Sequence, residues 1–587
     1  MTPVNRPDHS AAGSDETARR VAALRWQLDN NRAAYDRQAQ LPMQMEFLRD
    51  LLLGLRRTRV WQVIRILRRL KRAITGRSGP DPLEAALARL SAPSRLELNP
   101  DVRALLHPER DYLRWIATSE AGVLARLAGP GDEVPVLAVE AGLASGLAGV
   151  RAPFVALLSP GWRLAQAAPA VIGASLAANP AVDLLYTDVD AIGRDGVRAQ
   201  PDFRPDWDPE QHLGRDLLAG LLVVRTGMLR APGVLDDLPE QARLFALSLR
   251  LVAASRAERI RHVPAVLCHR VSVADDRAVR RDVAAGFLGL EVTVVPQGLR
   301  VHRRLPVPAP RASLIIPTKD RPDLLGPCLE GLLRGTDYPD LEVVVIDNGT
   351  TDAAAQALLA RASEDLRVRV IRDEGPFNWS RLNNVGAAAA SGDVLVLLNN
   401  DTAMPDPQWL TELVSQAMRP EIGAVGPMLL YPDGRIQQAG LAVDDHGNAR
   451  HLFRFRDGGD GGPSGMLGVA RLVTGVTGAC LAVRREVYVA AGGPTEALAV
   501  ACNDVDFCLR LQALGFANLW TPFAVVEHRE LASRGADASP ERHARAVREV
   551  LQLRRDWGGA LLRDPAINAN LVIVDEELWL RGAAPNE

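Results

Sequence analysis

Ser313-Leu-Ile-Ile-Pro-Thr-Lys-Asp-Arg321 is the stretch that decides the fold of the C-terminal part of this 587-residue chain. Ser313 to Ile316 predict a buried strand, and the polar run after them predicts a loop. The alternation continues and predicts strands at 341–346, 368–371 and 394–398, with helices at 322–334, 353–363 and 382–390. Strands that alternate with helices in this way form a doubly wound, mostly parallel α/β sheet.

Polar side chains follow three of these strands, at the point where each strand ends. They are Thr318, Lys319 and Asp320 after the first strand, Asp347 and Asn348 after the second, and Asn399, Asn400 and Asp401 after the fourth. In open sheets of this class, ligands bind at the carboxyl ends of the strands, where the strand order reverses. The sequence therefore predicts a ligand site built from these three clusters.

The composition is that of a soluble globular protein. The formal net charge is −2, hydrophobic residues make up 47% and charged residues 24%, so no nucleic-acid partner is expected. The five cysteines are an odd number and fit no zinc-binding spacing, which predicts free thiols in a reducing compartment. Because residues 1–17 are polar and no uncharged apolar run reaches ~18 residues, we expect neither a secretory signal nor a spanning helix. These features predict a cytoplasmic protein, either soluble or resting on the inner face of the cell membrane.

Residues 1–80 are predicted to hold a disordered tail followed by a helical segment. Within that segment, residues 55–74 contain eight basic side chains and no acidic ones, with apolar residues at helical spacing on one face. Such a helix can lie on anionic lipid. It can equally pack against the body of the protein with its basic face in solvent. Peripheral contact with an anionic membrane is therefore one of two open interpretations.

Residues 105–303 also alternate strands and helices, and they repeat features of residues 311–560. Three stretches match in the same order: 154–158 with 394–398, 245–251 with 505–511, and 262–269 with 520–528. The first copy lacks the acids of the second: it has Ser159-Pro-Gly161 in place of Asn399-Asn-Asp401, and Leu244 and Ala246 in place of Asp504 and Asp506. We also expect it to be too short before Phe154 for the first strands of the sheet. These differences predict a truncated, inactive copy, a complete second domain and a C-terminal extension at 561–587.

Four positions carry residue types suited to chemistry, and each has an ordinary structural alternative. Asp401 follows a buried strand and suits a hard divalent cation, or it is part of a turn. Asp504 precedes a helical run and suits proton abstraction from a hydroxyl group, or it caps the helix. Asp347 suits hydrogen bonds to a base or ribose, or it belongs to a turn. His528 suits a second metal ligand or is structural, and the matching His269 of the first copy fits either interpretation.

Several motifs of the second copy stand in a fixed order. After Ser313 to Arg321 come Val343-Val-Val-Ile-Asp-Asn-Gly349, Phe377-Asn-Trp-Ser-Arg-Leu-Asn-Asn-Val-Gly386, Leu397-Leu-Asn-Asn-Asp401, Thr477-Gly-Ala-Cys-Leu-Ala-Val-Arg484, Asn503-Asp-Val-Asp-Phe-Cys-Leu-Arg510 and His528 through Gly535. Over about 225 residues this set resembles the family 2 inverting glycosyltransferases of GT-A fold. It is similar to a subgroup of two-domain bacterial enzymes of O-antigen and exopolysaccharide assembly, often described as rhamnosyltransferase-like. Tyr186-Thr-Asp-Val-Asp190 and Pro201-Asp-Phe-Arg-Pro-Asp-Trp207 extend the resemblance to the first copy.

The resemblance implies a role for each matching residue. Asp504 would be the catalytic base, Asp401 would bind Mg²⁺ or Mn²⁺, and His528 would contact that metal or the diphosphate. The residues that contact the nucleotide sugar would be Pro317, Thr318, Asp320, Asp347, Asn348, Asn383, Asn384 and Asn400. Those on the acceptor side would be Thr477, Gly478 and Asp506. Asn399 replaces the first Asp of the family's Asp-x-Asp element, a variant that the subgroup also shows.

The implied activity is an inverting, metal-dependent sugar transfer of the hexosyl or rhamnosyl type. A nucleoside-diphosphate sugar would be the donor, and a hydroxyl group of a glycan or lipid-linked glycan would be the acceptor, in cell-surface polysaccharide synthesis. A non-catalytic scaffold for glycan assembly is one alternative, which the first copy alone would fit. A sugar nucleotidyltransferase is a weaker alternative, because its triphosphate needs a Gly-rich loop and residues 317–321 contain no glycine.

Overall fold

A computed structural model describes residues 108–139, 142–529, 540–574 and 576–582 of the chain. These residues belong to two compact units. The first unit contains residues 108–529 and 561–582, and the described part of the second is the helix Pro540–Trp557 with a short turn after it. The predicted basic helix at 55–74 and the end of the last motif, 530–535, lie outside the described residues and stay predictions.

The first domain of the larger unit is built on one mixed sheet. Its strands are β1 (Val136–Ala138), β2 (Phe154–Leu158), β3 (Trp162–Leu164), β4 (Leu184–Ile192), β5 (Arg198–Asp202), β6 (Leu221–Arg225), β7 (Ile260–Arg270), β8 (Val292–Val295) and β9 (Gly298–Val301). Its helices are α1 (Pro108–Trp115), α2 (Ala121–Leu127), α3 (Leu143–Ala148), α4 (Ala168–Ala178), α5 (Pro209–Arg215), α6 (Thr226–Leu229), α7 (Arg243–Ala253) and α8 (Arg277–Leu288). The sheet has the order β1-β2-β6-β4-β7-β3, with β5 against β4, and β8 pairs with β9.

The second domain is built on a ten-stranded sheet. Its strands are β10 (Ala312–Thr318), β11 (Leu341–Asp347), β12 (Val368–Arg372), β13 (Val394–Leu398), β14 (Thr402–Ala403), β15 (Ile422–Leu430), β16 (Ile436–Gln438), β17 (Leu441–Val443), β18 (Ala449–His451), β19 (Arg471–Val473), β20 (Cys480–Arg484) and β21 (Ala517–His528). Its helices are α9 (Pro322–Arg334), α10 (Ala353–Ala362), α11 (Trp379–Ala389), α12 (Trp409–Ala417), α13 (Arg485–Ala491) and α14 (Asn503–Ala513). The main path is β12-β11-β10-β13-β20-β15-β21-β14, while β17 and β18 form a separate hairpin.

The predicted doubly wound sheet is confirmed. The helix at 322–334 and the strand at 394–398 have the predicted bounds, and β10 and β11 are slightly longer than predicted. The helix predicted at 382–390 begins earlier, at Trp379, because the Asn378 side chain accepts a hydrogen bond from the Arg381 amide and caps the first turn.

The central strands of the second domain are buried on both faces of the sheet. Alternate residues of a strand face opposite sides, so Leu314 and Ile316 of β10 pack with Leu325 of α9. Ile315 lies between them and packs on the other side with Leu382 of α11. Parallel strands covered by helices on both faces need such continuous apolar runs, and each fully buried side chain contributes roughly 1.5–3 kcal/mol.

The two domains share one sheet path, which confirms the truncated repeat. Strands β1, β2, β6, β4, β7 and β3 take the places of β10, β13, β20, β15, β21 and β14, with the same parallel or antiparallel pairing at each step. His269 of β7 lies opposite Arg163, as His528 of β21 lies opposite Thr402.

One expectation about the first domain is wrong. The stretch before Phe154 does hold a strand, because β1 pairs in parallel with β2 as β10 does with β13. Three residues, Val136 to Ala138, are enough to form it. Within the described ranges, the counterparts of β11, β12 and β19 are absent, so the first domain lacks the two outer strands beyond β1 and the strand that would pair with β7 off the main path.

The C-terminal segment, residues 561–582, contacts both domains. It ends in a hairpin of β22 (Leu571–Val574) and β23 (Glu577–Leu580). Asn568 donates a hydrogen bond to Asp188 of the first domain at 2.8 Å. Asp564 accepts one from the Val443 amide of the second domain at 2.8 Å. The segment therefore fastens the two domains together.

Direct contacts also join the two domains. Arg419 pairs with Glu210 at 2.5 Å, and Arg300 pairs with Glu412 at 3.1 Å. The Asp208 carboxylate, which caps α5, also accepts a hydrogen bond from the Leu472 amide of β19. Because these carboxylates are buried, the ion pairs are shielded from solvent and hold the domains in one arrangement.

Among the helices that the structure describes, none combines the length and the apolar character needed to cross a lipid bilayer.

Candidate active site

The three predicted polar clusters meet at the edge of the sheet where β10, β11 and β13 end. Thr318 and Asp347 are paired in register at the ends of β10 and β11. Asn400, just after β13, donates a hydrogen bond to the Thr318 hydroxyl at 2.9 Å. The strand order reverses between β10 and β13, because the chain goes from β10 to β11 on one side and returns to β13 on the other. This is the place where open α/β sheets bind ligands.

Asp320 ties together the loops that follow β10 and β11. Its backbone is in the left-handed region, with φ of 54°. This turn brings its carboxylate to the amides of Asp352 and Thr351, each donating at 2.8 Å. These bonds lower the pKa of Asp320. Its predicted contact with the nucleotide is therefore accompanied by a structural role in the loop.

Asp347 is buried at the end of β11 and is held as a carboxylate. It accepts hydrogen bonds from the Thr350 amide at 2.8 Å and from Arg372 at 2.6 Å. Burial acts to raise the pKa of Asp347, but these hydrogen bonds outweigh burial and lower it. The loop after β11 thus has a fixed shape and a fixed negative charge.

Asp401 and His528 form the most unusual pair in the site. Asp401 is only 4% exposed, and its Oδ1 lies 3.1 Å from Nε2 of His528. No group of the described residues donates a well-directed hydrogen bond to this oxygen. A buried carboxylate oxygen without a donor is costly, and a bound cation would remove that cost. The pair therefore suits the cation that the sequence predicts for these two residues.

Asp401 and His528 alone do not complete a cation site. The described part of the chain contains no group of three or more His, Cys, Asp or Glu side chains arranged around one point. Mg²⁺ and Mn²⁺ prefer oxygen ligands, and Mg²⁺ is usually held by one or two carboxylates together with substrate phosphates and water. The donor set fits a cation that binds with a phosphate-bearing ligand.

Asp504 and Asp506 lie in the first turn of α14 but differ in surroundings. Asp504 is partly exposed, and its Oδ2 accepts a hydrogen bond from the Gly478 amide at 3.0 Å. Asp506 is buried, and its Oδ2 accepts hydrogen bonds from Thr495 at 2.6 Å and Arg510 at 3.0 Å. Asp504 is the acid with access to a ligand, while Asp506 serves the internal structure.

Trp379 connects the Asp401 side of the site to the Asp504 side. Its indole Nε1 donates to Oδ1 of Asn399 at 3.2 Å, and Nδ2 of Asn399 lies 3.2 Å from Nε2 of His528. On the other side, a Cβ built at Gly478 would lie 2.6 Å from the Trp379 ring. Trp379 lies within the motif 377–386, but its apolar side chain gave no sign in the sequence of this position between the two acids.

The remaining predicted residues line or brace the same region. Asn348 donates to the carbonyl groups of Gly375 and Asp373, and Asn384 donates to that of Pro494 while accepting from Tyr488. Asn383 is fully buried, and among the described residues its Oδ1 has no partner. Pro317 lies in β10 opposite Ile346, and the Thr477 hydroxyl accepts from the Ala479 amide at 3.4 Å. Of the three asparagines, Asn348 and Asn384 fix loops, while Asn383 donates within helix α11.

The first domain has acids near the matching edge, but their oxygens are already used. Asp190 of β4 accepts hydrogen bonds from Tyr112, Arg198 and His269 at 2.5 to 2.6 Å. Asp188 is fully buried and accepts from the Arg204 amide, His262 and Asn568. Asp188 and Asp190 therefore form an internal network rather than a cation site, and His269 belongs to that network.

Part of the second domain matches a known family model. The model described as "Glycosyl transferase family 2" matches residues 313–488. The uncharacterized protein y4gI of Sinorhizobium fredii is 34% identical over 72% of this chain and 49% of its own length. The O-antigen biosynthesis protein RfbC of Myxococcus xanthus is 38% identical over 68% of this chain and 32% of its own length. This chain thus spans half or less of these two relatives.

A third relative matches a shorter part of the chain. It is the N-acetylglucosaminyl-diphospho-decaprenol L-rhamnosyltransferase of Mycobacterium tuberculosis, 28% identical over 36% of this chain and 75% of its own length.

Proposed function

We propose that this chain transfers a sugar from a nucleoside-diphosphate sugar to a hydroxyl group of a glycan or lipid-linked glycan, because its residues 313–488 match the model of glycosyl transferase family 2. The proposed setting is the assembly of a cell-surface polysaccharide. The relative named for O-antigen biosynthesis and the relative named for rhamnosyl transfer to a lipid diphosphate support it.

The pair Asp401–His528 is the observation that carries the proposal. A buried carboxylate oxygen that accepts no directed hydrogen bond among the described residues lies 3.1 Å from an imidazole nitrogen. Asp401 and His528 are the side chains that would hold Mg²⁺ or Mn²⁺. Such a cation neutralises charge on the leaving nucleoside diphosphate.

Asp504 is the proposed general base of an inverting single displacement. The acceptor hydroxyl gives its proton to Asp504 and its oxygen forms a bond to the anomeric carbon, while the bond from that carbon to the diphosphate oxygen breaks. Hydrogen bonds from the Gly478 and Val505 amides orient the carboxylate. Its partial exposure leaves room for the acceptor.

The loops after β10 and β11 are the proposed nucleoside side of the site. Asp320 and Asp347 fix these loops through backbone hydrogen bonds, and both carry a negative charge in the folded protein. A carboxylate at this edge of the sheet accepts hydrogen bonds from ribose hydroxyls or base N–H groups. The first domain, whose acids are internally bonded, is proposed to act as a non-catalytic brace.

The test compares Asp504→Asn with Asp506→Asn in the full chain. A panel of sugar nucleotides with Mn²⁺ first identifies the donor by its increase in Tm. Asp504→Asn should keep that increase but lose sugar transfer and sugar-nucleotide hydrolysis. Asp506→Asn should lower Tm and retain turnover per folded molecule. Turnover by Asp504→Asn at the wild-type level would rule out its role as the base.

A further inference from the structure

Gln437 is a buried residue of β16 that makes two contacts with one histidine. It is 3% exposed. Its Oε1 lies 2.7 Å from Nδ1 of His528, and its Nε2 donates a hydrogen bond to the His528 backbone carbonyl at 3.2 Å. β16 pairs with β15, which pairs in parallel with β21, the strand that ends at His528. The sheet therefore holds the amide and the imidazole side by side.

The two contacts together determine which imidazole nitrogen carries the proton. A backbone carbonyl can only accept, so the amide NH₂ of Gln437 must face it. Its oxygen must then face Nδ1 of His528, and since that oxygen can only accept, Nδ1 must be the donor. In the neutral imidazole, the lone pair then lies on Nε2.

Nε2 of His528 lies close to Asp401, the other proposed cation ligand, and to Asn399. It lies 3.1 Å from Oδ1 of Asp401 and 3.2 Å from Nδ2 of Asn399. Asn399 is held in this orientation because its Oδ1 accepts from Trp379. The lone pair of Nε2, to which the Asn399 amide donates, and the carboxylate oxygen of Asp401 therefore face the same space.

We propose that Gln437 is a positioning residue that holds His528 in the Nδ1–H tautomer, so that Nε2 and Asp401 can bind a divalent cation together. This inference rests on the proposed function, which makes these two residues the cation ligands. Partners that orient a metal-bound histidine in this way typically contribute 10–100-fold in metal affinity.

The first experiment measures Mn²⁺ affinity by isothermal titration calorimetry with the full chain. Gln437→Met keeps the size of the side chain but cannot accept from Nδ1–H, and its Kd for Mn²⁺ should rise 10–100-fold. Gln437→Glu keeps the acceptor for Nδ1–H but loses the donor to the His528 carbonyl, so it should bind Mn²⁺ more tightly than Gln437→Met. The matched control is Gln416→Met, which replaces a buried glutamine of α12 and should leave the Kd unchanged. A Gln437→Met protein that is folded and binds Mn²⁺ within threefold of wild type overturns the proposal.

The second experiment examines the tautomer in the cation-free protein by ¹⁵N NMR of labelled histidine, with His528 assigned from His528→Gln. At pH 8 the wild type should show a protonated Nδ1 and an unprotonated Nε2, and Gln437→Met should shift toward the other tautomer. A wild-type signal with Nε2 protonated contradicts the proposal even if a variant fails to fold. Equal Mn²⁺ binding by wild type and Asp401→Asn would instead refute the cation site of the proposed function. The NMR result would still show whether Gln437 holds His528 in the Nδ1–H tautomer.

Discussion

Replacing Gly478 with alanine should disturb both halves of the site at once. Gly478 lies between Trp379 and Asp504, and its amide donates to the Asp504 carboxylate at 3.0 Å. A Cβ at this position would lie 2.6 Å from both Cζ2 and Cη2 of the Trp379 indole. Carbon atoms are comfortable only at about 3.5–4.0 Å, so the ring or the backbone must move by roughly 1 Å.

A movement of this size should reduce both the catalytic rate and the free energy of unfolding. The hydrogen bond from Trp379 to Asn399 is already 3.2 Å long and has little length to spare. Misplacement by about 1 Å in a catalytic site can reduce the rate about 100-fold, which corresponds to about 2.7 kcal/mol of transition-state stabilisation. Overpacking should also lower the free energy of unfolding by about 1–3 kcal/mol.

The assay is kcat/KM for sugar transfer, with Tm and urea unfolding as the stability measurements. Gly286→Ala is the control, because among the described residues no atom outside its own stretch of helix lies within 4 Å of the added Cβ, and alanine favours the helix. The double variant Gly478→Ala/Trp379→Phe should recover stability but not full activity, since phenylalanine cannot donate to Asn399. Activity of Gly478→Ala within threefold of wild type, with stability equal to Gly286→Ala, would refute the steric argument.

Three further predictions concern acid sensitivity, the C-terminal segment and the nucleoside loops. Burial lowers the pKa of His212 to about 3, aided by the positive charges of Arg204 and Arg280. As the pH falls below about 6.5, His212 therefore binds a proton in the unfolded chain but not in the folded chain. Between pH 6.5 and pH 5, the free energy of unfolding of the wild type should fall by about 2 kcal/mol more than that of His212→Gln. Urea unfolding at the two pH values measures this difference. Asn568→Ala removes a donor from buried Asp188 and should lower the free energy of unfolding by about 1–3 kcal/mol, without changing KM for the sugar nucleotide. Asp320→Ala leaves two backbone amides without their acceptor and should raise the KM for the sugar nucleotide roughly tenfold, because a hydrogen bond to a charged group contributes about 1.5 kcal/mol. An unchanged KM would show that the loop holds its shape without the carboxylate.

The parts of the fold that follow from local sequence were predictable. Strand β13 is a run of five apolar residues between polar neighbours, and helix α9 begins with a proline at its first turn, so their bounds could be predicted. The polar residues at the ends of β10, β11 and β13 could also be identified from local sequence, and they indicated where the candidate site lies. Asp401 and Asp504 could be predicted as a cation ligand and a catalytic base because of the order of the motifs around them.

The features that sequence reasoning missed depend on partners far along the chain. Gln437 and His528 are 91 residues apart, and Gln437 becomes informative only when the sheet places it beside the imidazole. Strand β1 is three residues long and is stabilised by pairing with β2 rather than by a strong local pattern. The Asp-x-Asp spacing of Asp188 and Asp190 resembles a cation motif in sequence, and only the tertiary structure shows that other side chains occupy their oxygens.

The contact between Asn568 and Asp188 has a consequence for how the protein is made. The two residues are 380 positions apart, and the donor leaves the ribosome last. At about 5–20 residues per second, the first domain waits roughly 20 to 80 s after Asp188 is synthesised before Asn568 arrives to complete its bonding. During that time a buried carboxylate lacks one of its donors. We expect the nascent first domain to need chaperones until the C-terminal segment has been synthesised, and a cut in that segment to return the domain to its incomplete state.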